Sequence, residues 1–470
     1  MARAKTPLIL ENIEVLGMAA EGKCVAKPEG KVLFLKDSAP GDVVDVRVTR
    51  KKKSFLEGYP IKFHKRSAVR VTPVCGHFDI CGGCKWQHIQ YAEQLAYKQQ
   101  QVVDALERIG KVELTSISPI IGSDQTEYYR NKLEFTFSNS RWFTSDEINS
   151  GESLDGNALG FHIPGRFDKV LQIDHCHLQP EPSNKIRNWL NEYSMKNDLS
   201  YYDLYRHEGF LRILMIRTAT TGEAMVLIQF AEDDQQAIEK LLSSLVAEFP
   251  DLIAVNYVIN TKKNDTFNDL PVVNYSGREY IIEKMGDLKF IIGPKSFYQT
   301  NPVQAERLYQ VALDYADLKG DELVYDLYTG TGTIANYIAR KAAKVVGVEY
   351  VPEAIEDAKR NSQLNDISNT SFFAGDMKDL LNEAFIKQNG QPDVIITDPP
   401  RAGMHPDVIN TLLEIAAQKI VYVSCNPATQ ARDILELSSL YEVAKSQPVD
   451  MFPHTHHVEN VVQLNLKVHE

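Results

Sequence analysis

The chain has 470 residues, which at one to two hundred residues per domain predicts roughly three domains. With 43% apolar and 24% charged residues and a mean hydropathy of -0.28, it is excluded from the disordered, collagen-like and membrane-spanning classes. The net charge of -12 taken alone speaks against a polyanionic partner, but residues 1–70 hold fifteen Lys and Arg against eight Asp and Glu, an excess of seven positive charges, so the other 400 carry -19.

Met1–Val15 offers only a short apolar patch, Pro7–Leu10, too short for a secretion signal or a membrane anchor, which predicts a cytoplasmic protein. From Leu8 to Ile61, short runs such as Val32–Leu35 and Val43–Val48 alternate with turns such as Ala39-Pro40-Gly41-Asp42, the pattern of a small β-barrel. Arg50-Lys51-Lys52-Lys53, just after a strand, is the densest positive charge in the chain; it reads either as a solvated loop or as an RNA contact. Cys75-x5-Cys81-x2-Cys84 follows, three of the six cysteines crowded into ten residues, which suggests metal rather than disulfides. Cys176 is a candidate fourth ligand; zinc would accept four cysteines, and His77, His175 and His177 are near enough in sequence to substitute. Cys24 reads as a buried barrel residue. A helix is predicted over Tyr91–Ile109 and ends at Gly110. An α+β stretch comes next, with strands at Lys132–Phe137, Leu211–Arg217 and Ala224–Phe230 and helices near Pro182–Met195 and Asp234–Glu248. Glu147–Asn157 reads as an exposed loop within it.

From Pro294 helices alternate with buried strands at Leu323–Leu327, Val345–Val348, Val394–Thr397 and Ile420–Val423, which implies a doubly wound sheet. Asn301 caps the first helix, Pro302 takes its first position, and Gln304 is placed to close a capping box. Gly330-x-Gly332-x-x-Ala335 opens a helix after the first strand, and Glu349 ends the next strand 19 residues after Gly330, where an acid would hold a ribose. That motif alone does not separate an NAD site from an S-adenosylmethionine site. Asp398-Pro-Pro-Arg401 and Ser424-Cys425-Asn-Pro427 close the following strands on the same carboxyl edge, and NAD enzymes need neither. An isolated cysteine at a strand end is ordinarily a small core hydrophobe; Cys425 stands among Asp398, Arg401 and Glu459, which favours a nucleophile.

Taken together, Phe297-Tyr-Gln299-x-Asn301, Asp326-x-Tyr328-x-Gly330-x-Gly332, Asp398-Pro-Pro-Arg401-x-Gly403, Val423-Ser-Cys425-Asn-Pro427 and Phe452-Pro-His454-Thr-His456-His457-Val-Glu459 resemble the RNA uridine-C5 methyltransferase family. The N-terminal barrel resembles the TRAM domain, an OB-like RNA-binding module. The resemblance implies that Cys425 adds to uracil C6 and that Glu459 is the general base. It implies that Asp398 and Arg401 orient and polarise the uracil, and that Gln299, Tyr328, Gly330, Glu349 and Asp398 surround S-adenosylmethionine. Phe297 is then a candidate to stack on a base, while His454, His456 and His457 read as packing residues and are given no catalytic part. The family pattern has Cys75, Cys81, Cys84 and Cys176 hold a [4Fe-4S] cluster, with zinc the less favoured alternative.

The expected architecture is multidomain α/β: a TRAM-like β-barrel over 1–64, a central α+β domain with the iron-sulfur loop over 65–290, and a Rossmann-like methyltransferase domain over 291–470. The expected activity is S-adenosylmethionine-dependent methylation of uridine C5 in RNA, by a monomer. The substrate is taken as 23S ribosomal RNA, because family members with a cluster and a TRAM domain act mostly there, with transfer RNA as the alternative. A cytosine-C5 enzyme is disfavoured because Cys425 follows Ser424, not proline, and has no second cysteine beside it. A non-catalytic iron-sulfur RNA-binding protein would have no need of both Cys425 and Glu459.

Overall fold

The computed structural model of the protein describes residues 8–113, 117–151 and 154–468. Among them, no helix is long and apolar enough to cross a membrane. Strands Ile9–Glu14 and Gly17–Met18 are consecutive in the chain but lie at opposite edges of a six-stranded sheet, so the sheet curls and closes on itself. Val15, Cys24, Ala26, Leu33, Leu35, Val44, Val46 and Leu56 fill its interior. At Gly58 a Cβ would lie 2.7 Å from the Arg47 carbonyl oxygen and from Val46 Cγ1, so only glycine allows the strands this close. The basic tetrapeptide differs slightly from its expected place: strand Val43–Lys51 runs on through Arg50 and Lys51, and Lys52 and Lys53 turn into strand Phe55–Lys65. All four side chains are exposed at this hairpin tip.

The central sheet has seven strands, in the order Val273–Gly277, Ala254–Ile259, Ala224–Phe230, Leu211–Thr218, Lys132–Ser138, Ala158–Ile163 and Arg166–Gln172. Its one parallel pair, Ala224–Phe230 with Ala254–Ile259, is joined by helix Gln235–Glu248, as a parallel crossover requires. Ile238, Leu241, Leu242 and Leu245 of that helix, and Ile186 and Leu190 of helix Ser183–Lys196, share a core with the sheet. Where the sequence predicts a loop over Glu147–Asn157, a short helix Ser145–Ser150 forms. Thr144 and Glu147 close a reciprocal capping box at its start, a signal outweighed in the sequence by the surrounding Ser, Gly and Asp; residues 152 and 153 lie outside the described residues.

The third sheet runs Thr370–Ala374, Lys344–Glu349, Leu323–Leu327, Val394–Thr397, Lys419–Ser424, Glu459–Leu466 and Tyr441–Val449. The first five strands are parallel and wind outward from Leu323–Leu327 in both directions, which puts the ligand crevice between its carboxyl end and that of Val394–Thr397. Strand Glu459–Leu466 inserts antiparallel between Lys419–Ser424 and Tyr441–Val449, and the connection 450–458 thereby returns to the same carboxyl edge. Two earlier pieces of chain pack onto this unit. Val102, Ala105 and Leu106 of helix Tyr91–Arg108 join the core of Tyr422 and Ile434, and hairpin Ile281–Met285 with Leu288–Ile292 joins that of Leu308 and Val324. Asn301 caps helix Pro302–Ala316 by accepting the Gln304 N–H at 3.2 Å, but the expected capping box is half-formed. The Gln304 side chain reaches away to donate to the Asp450 carbonyl at 2.9 Å.

Candidate active site and cysteine cavity

Strand Leu323–Leu327 leaves the sheet through Tyr328 (φ 63°), Gly330 (φ 54°) and Gly332 (φ 74°), all left-handed. Tyr328 carries this conformation without the freedom of glycine, at a cost of order 1 kcal/mol that marks a constrained site. A Cβ on Gly332 would sit 2.8 Å from Ala358 Cβ, whereas one on Gly330 would meet nothing within 4 Å, leaving open space over the turn. Asp326, wholly buried beneath it, accepts from the Ala335 N–H at 3.0 Å and from the Thr329 hydroxyl. Its other oxygen has no partner, and burial pushes its carboxyl up to about 7. Glu349 braces the turn, accepting the Gly330 N–H at 3.1 Å and the Val351 N–H at 3.0 Å, one on each oxygen, which leaves each a second lone pair for a ligand. Turn and open cradle fit the adenosyl end of S-adenosylmethionine.

Segment Phe297–Asn301 passes over this turn. The Thr331 hydroxyl donates to the Phe297 carbonyl at 3.2 Å, while the Phe297 ring is 68% exposed. Gln299 is buried, and its carbonyl accepts from Asn131 Nδ2 at 3.0 Å. Arg217 donates to the Ser296 carbonyl at 2.6 Å. Sequence reasoning passes over Asn131 and Arg217, because buried polar residues in a strand-rich domain carry no pattern of their own. They seat the segment that carries Phe297 and Gln299.

Beside the crevice, the register of the antiparallel insertion ends with Ser424 paired to Asn460, and the residues next to them, Cys425 just past one strand and Glu459 at the start of the other, are near enough for Glu459 to act on the Cys425 thiol. Glu459 is 3% exposed and Cys425 half-buried. Asp398 follows strand Val394–Thr397, with its N–H donating to the Leu327 carbonyl at 3.3 Å. Arg401 is stitched to the Cys425 loop: its carbonyl accepts from Asn426 Nδ2 at 3.0 Å and the Thr429 hydroxyl at 3.2 Å. These four residues act on one another. Burial, then Glu459 and Asp398, pushes the Cys425 thiol up to about 11, against the pull of Arg401. Burial and Asp398 hold the Glu459 carboxyl well above the usual range, and burial and Asp326 bring Asp398 to about 7. The four residues expected to be catalytic thus lie near enough to influence one another, and Asp398 ties them to the end of strand Leu323–Leu327, from which the glycine turn departs.

Cys75, Cys81, Cys84 and Cys176 line one cavity of about 220 Å³ together with Phe78, Leu133, Phe161 and Ile173. The Gly83 N–H points at Cys81 Sγ from 3.4 Å. Burial raises the Cys81 thiol to about 12 and that of Cys84 to about 11. Among the described residues, no three His, Cys, Asp or Glu side chains form a group that could hold a single metal ion. His77, His175 and His177 line the same cavity, each with one ring nitrogen in a hydrogen bond: the Tyr128 hydroxyl meets His175 Nε2 at 3.0 Å and His177 Nδ1 at 3.1 Å, and His77 Nε2 accepts the Asp174 N–H at 3.1 Å.

A doubly wound sheet with an open glycine turn, and a Cys–Glu–Asp–Arg quartet on the same edge, defines an S-adenosylmethionine-dependent methyltransferase. Residues 277–467 match the tRNA (uracil-5-)-methyltransferase family and residues 11–61 the TRAM domain. The chain is 56% identical over 454 residues to an uncharacterized RNA methyltransferase of Bacteroides thetaiotaomicron, covering 96% of this chain and 100% of that protein. It is 56% identical over 463 residues to one of Porphyromonas gingivalis, covering 96% and 99%. Among solved structures it resembles Pyrococcus abyssi tRNA (uracil-54, C5)-methyltransferase in complex with S-adenosyl-L-homocysteine, with a TM-score of 0.74 and 28% identity over 96% of this chain and 100% of that one. The chain belongs to the tRNA (uracil-5-)-methyltransferase family and is an S-adenosylmethionine-dependent RNA methyltransferase.

Proposed function

We propose that the protein methylates C5 of a uridine in 23S ribosomal RNA through a covalent adduct between Cys425 and uracil C6. The observation that carries this reading is the pairing of Ser424 with Asn460, which brings their neighbours Cys425 and Glu459 to the same end of the two strands, within the influence of each other and of Asp398 and Arg401. S-adenosylmethionine, bound over the Gly330–Gly332 turn, supplies the methyl group. Carbon 5 of uracil is a weak nucleophile, so the Cys425 thiolate first adds to C6: an S–C6 bond forms and the C5–C6 π pair moves onto the C4 carbonyl as an enolate. Arg401 offers the cation that this charge favours, and Asp398 orients the ring. After C5 has taken the methyl group, Glu459 removes its proton, the C–H pair restores the C5–C6 double bond, and the C6–S pair returns to Cys425 as thiolate. Phe297, with its exposed ring beside the crevice, stacks on the target base or its neighbour.

The basic hairpin tip of the barrel gives the RNA its second hold. Replacing Arg50, Lys51, Lys52 and Lys53 together by alanine is expected to leave S-adenosylmethionine affinity unchanged and to flatten the salt dependence of RNA binding. If all four meet phosphates of single-stranded RNA, the log–log slope falls by about 3; titration at several salt concentrations measures it.

The four cysteines fit a [4Fe-4S] cluster better than zinc. They ring a cavity rather than converge on a point, and an amide N–H is aimed at one sulfur, as cluster ligands favour. The cluster would tie the Cys75–Cys84 loop to Cys176 of the central domain, and the reaction itself needs no electrons. Anaerobic purification is expected to give about four iron and four sulfide per chain; stoichiometric zinc would overturn the assignment. The same reading has the enzyme act as a cytoplasmic monomer, where thiols stay reduced. Mapping 5-methyluridine in total RNA with and without the gene tests the substrate: loss from 23S RNA is expected, and loss confined to transfer RNA would overturn it.

A further inference from the structure

Helix Tyr91–Arg108 has a polar stripe that apolar packing does not explain. Tyr91, Gln94 and Lys98 are spaced i, i+3 and i+7, on one face, and Gln94 and Lys98 are fully buried. All three grip segment 450–454. Lys98 Nζ donates to Asp450 Oδ1 at 2.6 Å and to the Phe452 carbonyl at 3.0 Å, and the Tyr91 hydroxyl donates to Asp450 Oδ2 at 2.9 Å. Gln94 Oε1 accepts the His454 N–H at 2.9 Å, and its amide nitrogen lies 3.2 Å from His454 Nδ1. From the other side Gln304 donates to the Asp450 carbonyl and Asn301 Nδ2 to the Met451 carbonyl at 3.1 Å.

A buried lysine–aspartate pair is a poor means of stabilising a fold, because desolvating both charges offsets their attraction. The helix does not need it for anchorage, since Val102, Ala105 and Leu106 already seat it in the core. What the stripe fixes is the path of a segment that reaches Glu459 five residues after His454. We propose that Tyr91, Gln94 and Lys98 are positioning residues: a clamp on segment 450–454 that holds Glu459 in line with the C5 proton of the Cys425 adduct. This rests on the reading of Cys425 as nucleophile and Glu459 as base.

Lys98→Met and Gln94→Met test it, the second because it strands no buried charge and so serves if the first does not fold. The measurement is the fraction of enzyme held as methylated covalent adduct in single turnovers with RNA and S-adenosylmethionine, alongside the melting temperature and S-adenosylmethionine affinity. A small displacement of the base should slow proton removal about 100-fold. The adduct is then expected to build up at least about tenfold over wild type, with its formation rate and cofactor affinity within about twofold. A merely structural role would lower the melting temperature and the active fraction but leave the adduct fraction at the wild-type level, and that result overturns the proposal. Glu459→Gln is run beside them. If it accumulates adduct and the folded clamp variants do not, the clamp falls and the base assignment stands; if Glu459→Gln accumulates none, the base assignment falls and the clamp with it.

Discussion

Cys425→Ala is expected to abolish methylation while leaving S-adenosylmethionine binding intact. Removal of a covalent nucleophile costs on the order of 10⁴-fold or more in turnover, because the neighbouring groups have nothing left to act on. The side chain is small and half-buried, so the fold should tolerate the change. RNA carrying 5-fluorouridine at the target gives the sharper readout: fluorine at C5 cannot leave as a proton, so the wild-type enzyme stalls as a covalent complex visible on a denaturing gel. That band should vanish in Cys425→Ala, and its persistence would refute the nucleophile. The reaction also carries a pH signature. With the Cys425 thiol up at about 11, little thiolate is present at neutral pH in the free enzyme. Deprotonation is needed before attack, so the adduct-forming rate should climb with pH, by up to about tenfold per unit below that value. Arg401→Gln removes the cation that favours the thiolate and should slow the step across the same range.

Glu459→Gln is the second large effect, of a different kind. Glutamine keeps the volume of a side chain that is almost wholly buried at a strand start, but it cannot take a proton. Attack and methyl transfer should proceed, and the complex should then halt with 5-methyluridine still attached to Cys425. Steady-state turnover should fall by about 10²- to 10⁴-fold, the usual worth of a general base, while a first-turnover burst survives. Mass spectrometry of the trapped species would find RNA plus one methyl group on the protein. Free product released at the wild-type rate would remove Glu459 from this role. Burial and Asp398 hold the Glu459 carboxyl well above the usual carboxylate range, so the base loses its proton only at higher pH than a free carboxylate and proton removal from C5 should also quicken as pH rises.

Much of this was legible in the sequence because motifs at strand ends carry their own geometry. A buried strand followed by Gly330-x-Gly332 has few places to go, and Asp398 and Cys425, each just after a buried strand, fall on the same carboxyl edge. Pairing between distant segments was not legible. Nothing in the spacing of Glu459 reveals that its strand inserts between Lys419–Ser424 and Tyr441–Val449, which is what brings it near Cys425. Gln304 showed why a local signal misleads: a capping box is possible at that spacing, but a carbonyl 146 residues away is the partner it takes. Nothing in the sequence singles out Lys98 and Gln94, since polar and charged residues in a helix pattern ordinarily face water; only tertiary packing turns them inward.

The link between Lys98 and Asp450 spans 352 residues, and it bears on how the enzyme is made. The barrel, with its strands contained within Ile9–Lys65, has all its pairing partners soon after it leaves the ribosome. Gln94 and Tyr91 of helix Tyr91–Arg108 find nearby partners in Trp86, Ile89 and Ser123, but Lys98 must wait for Asp450 and Phe452 until segment 450–454 has been synthesised. Strand Glu459–Leu466, which completes the third sheet, emerges later still. On the function proposed above, a nascent chain would engage RNA through its barrel well before it has a working thiol, and translation that stops short of Glu459 would leave an RNA-binding fragment without methyl-transfer chemistry.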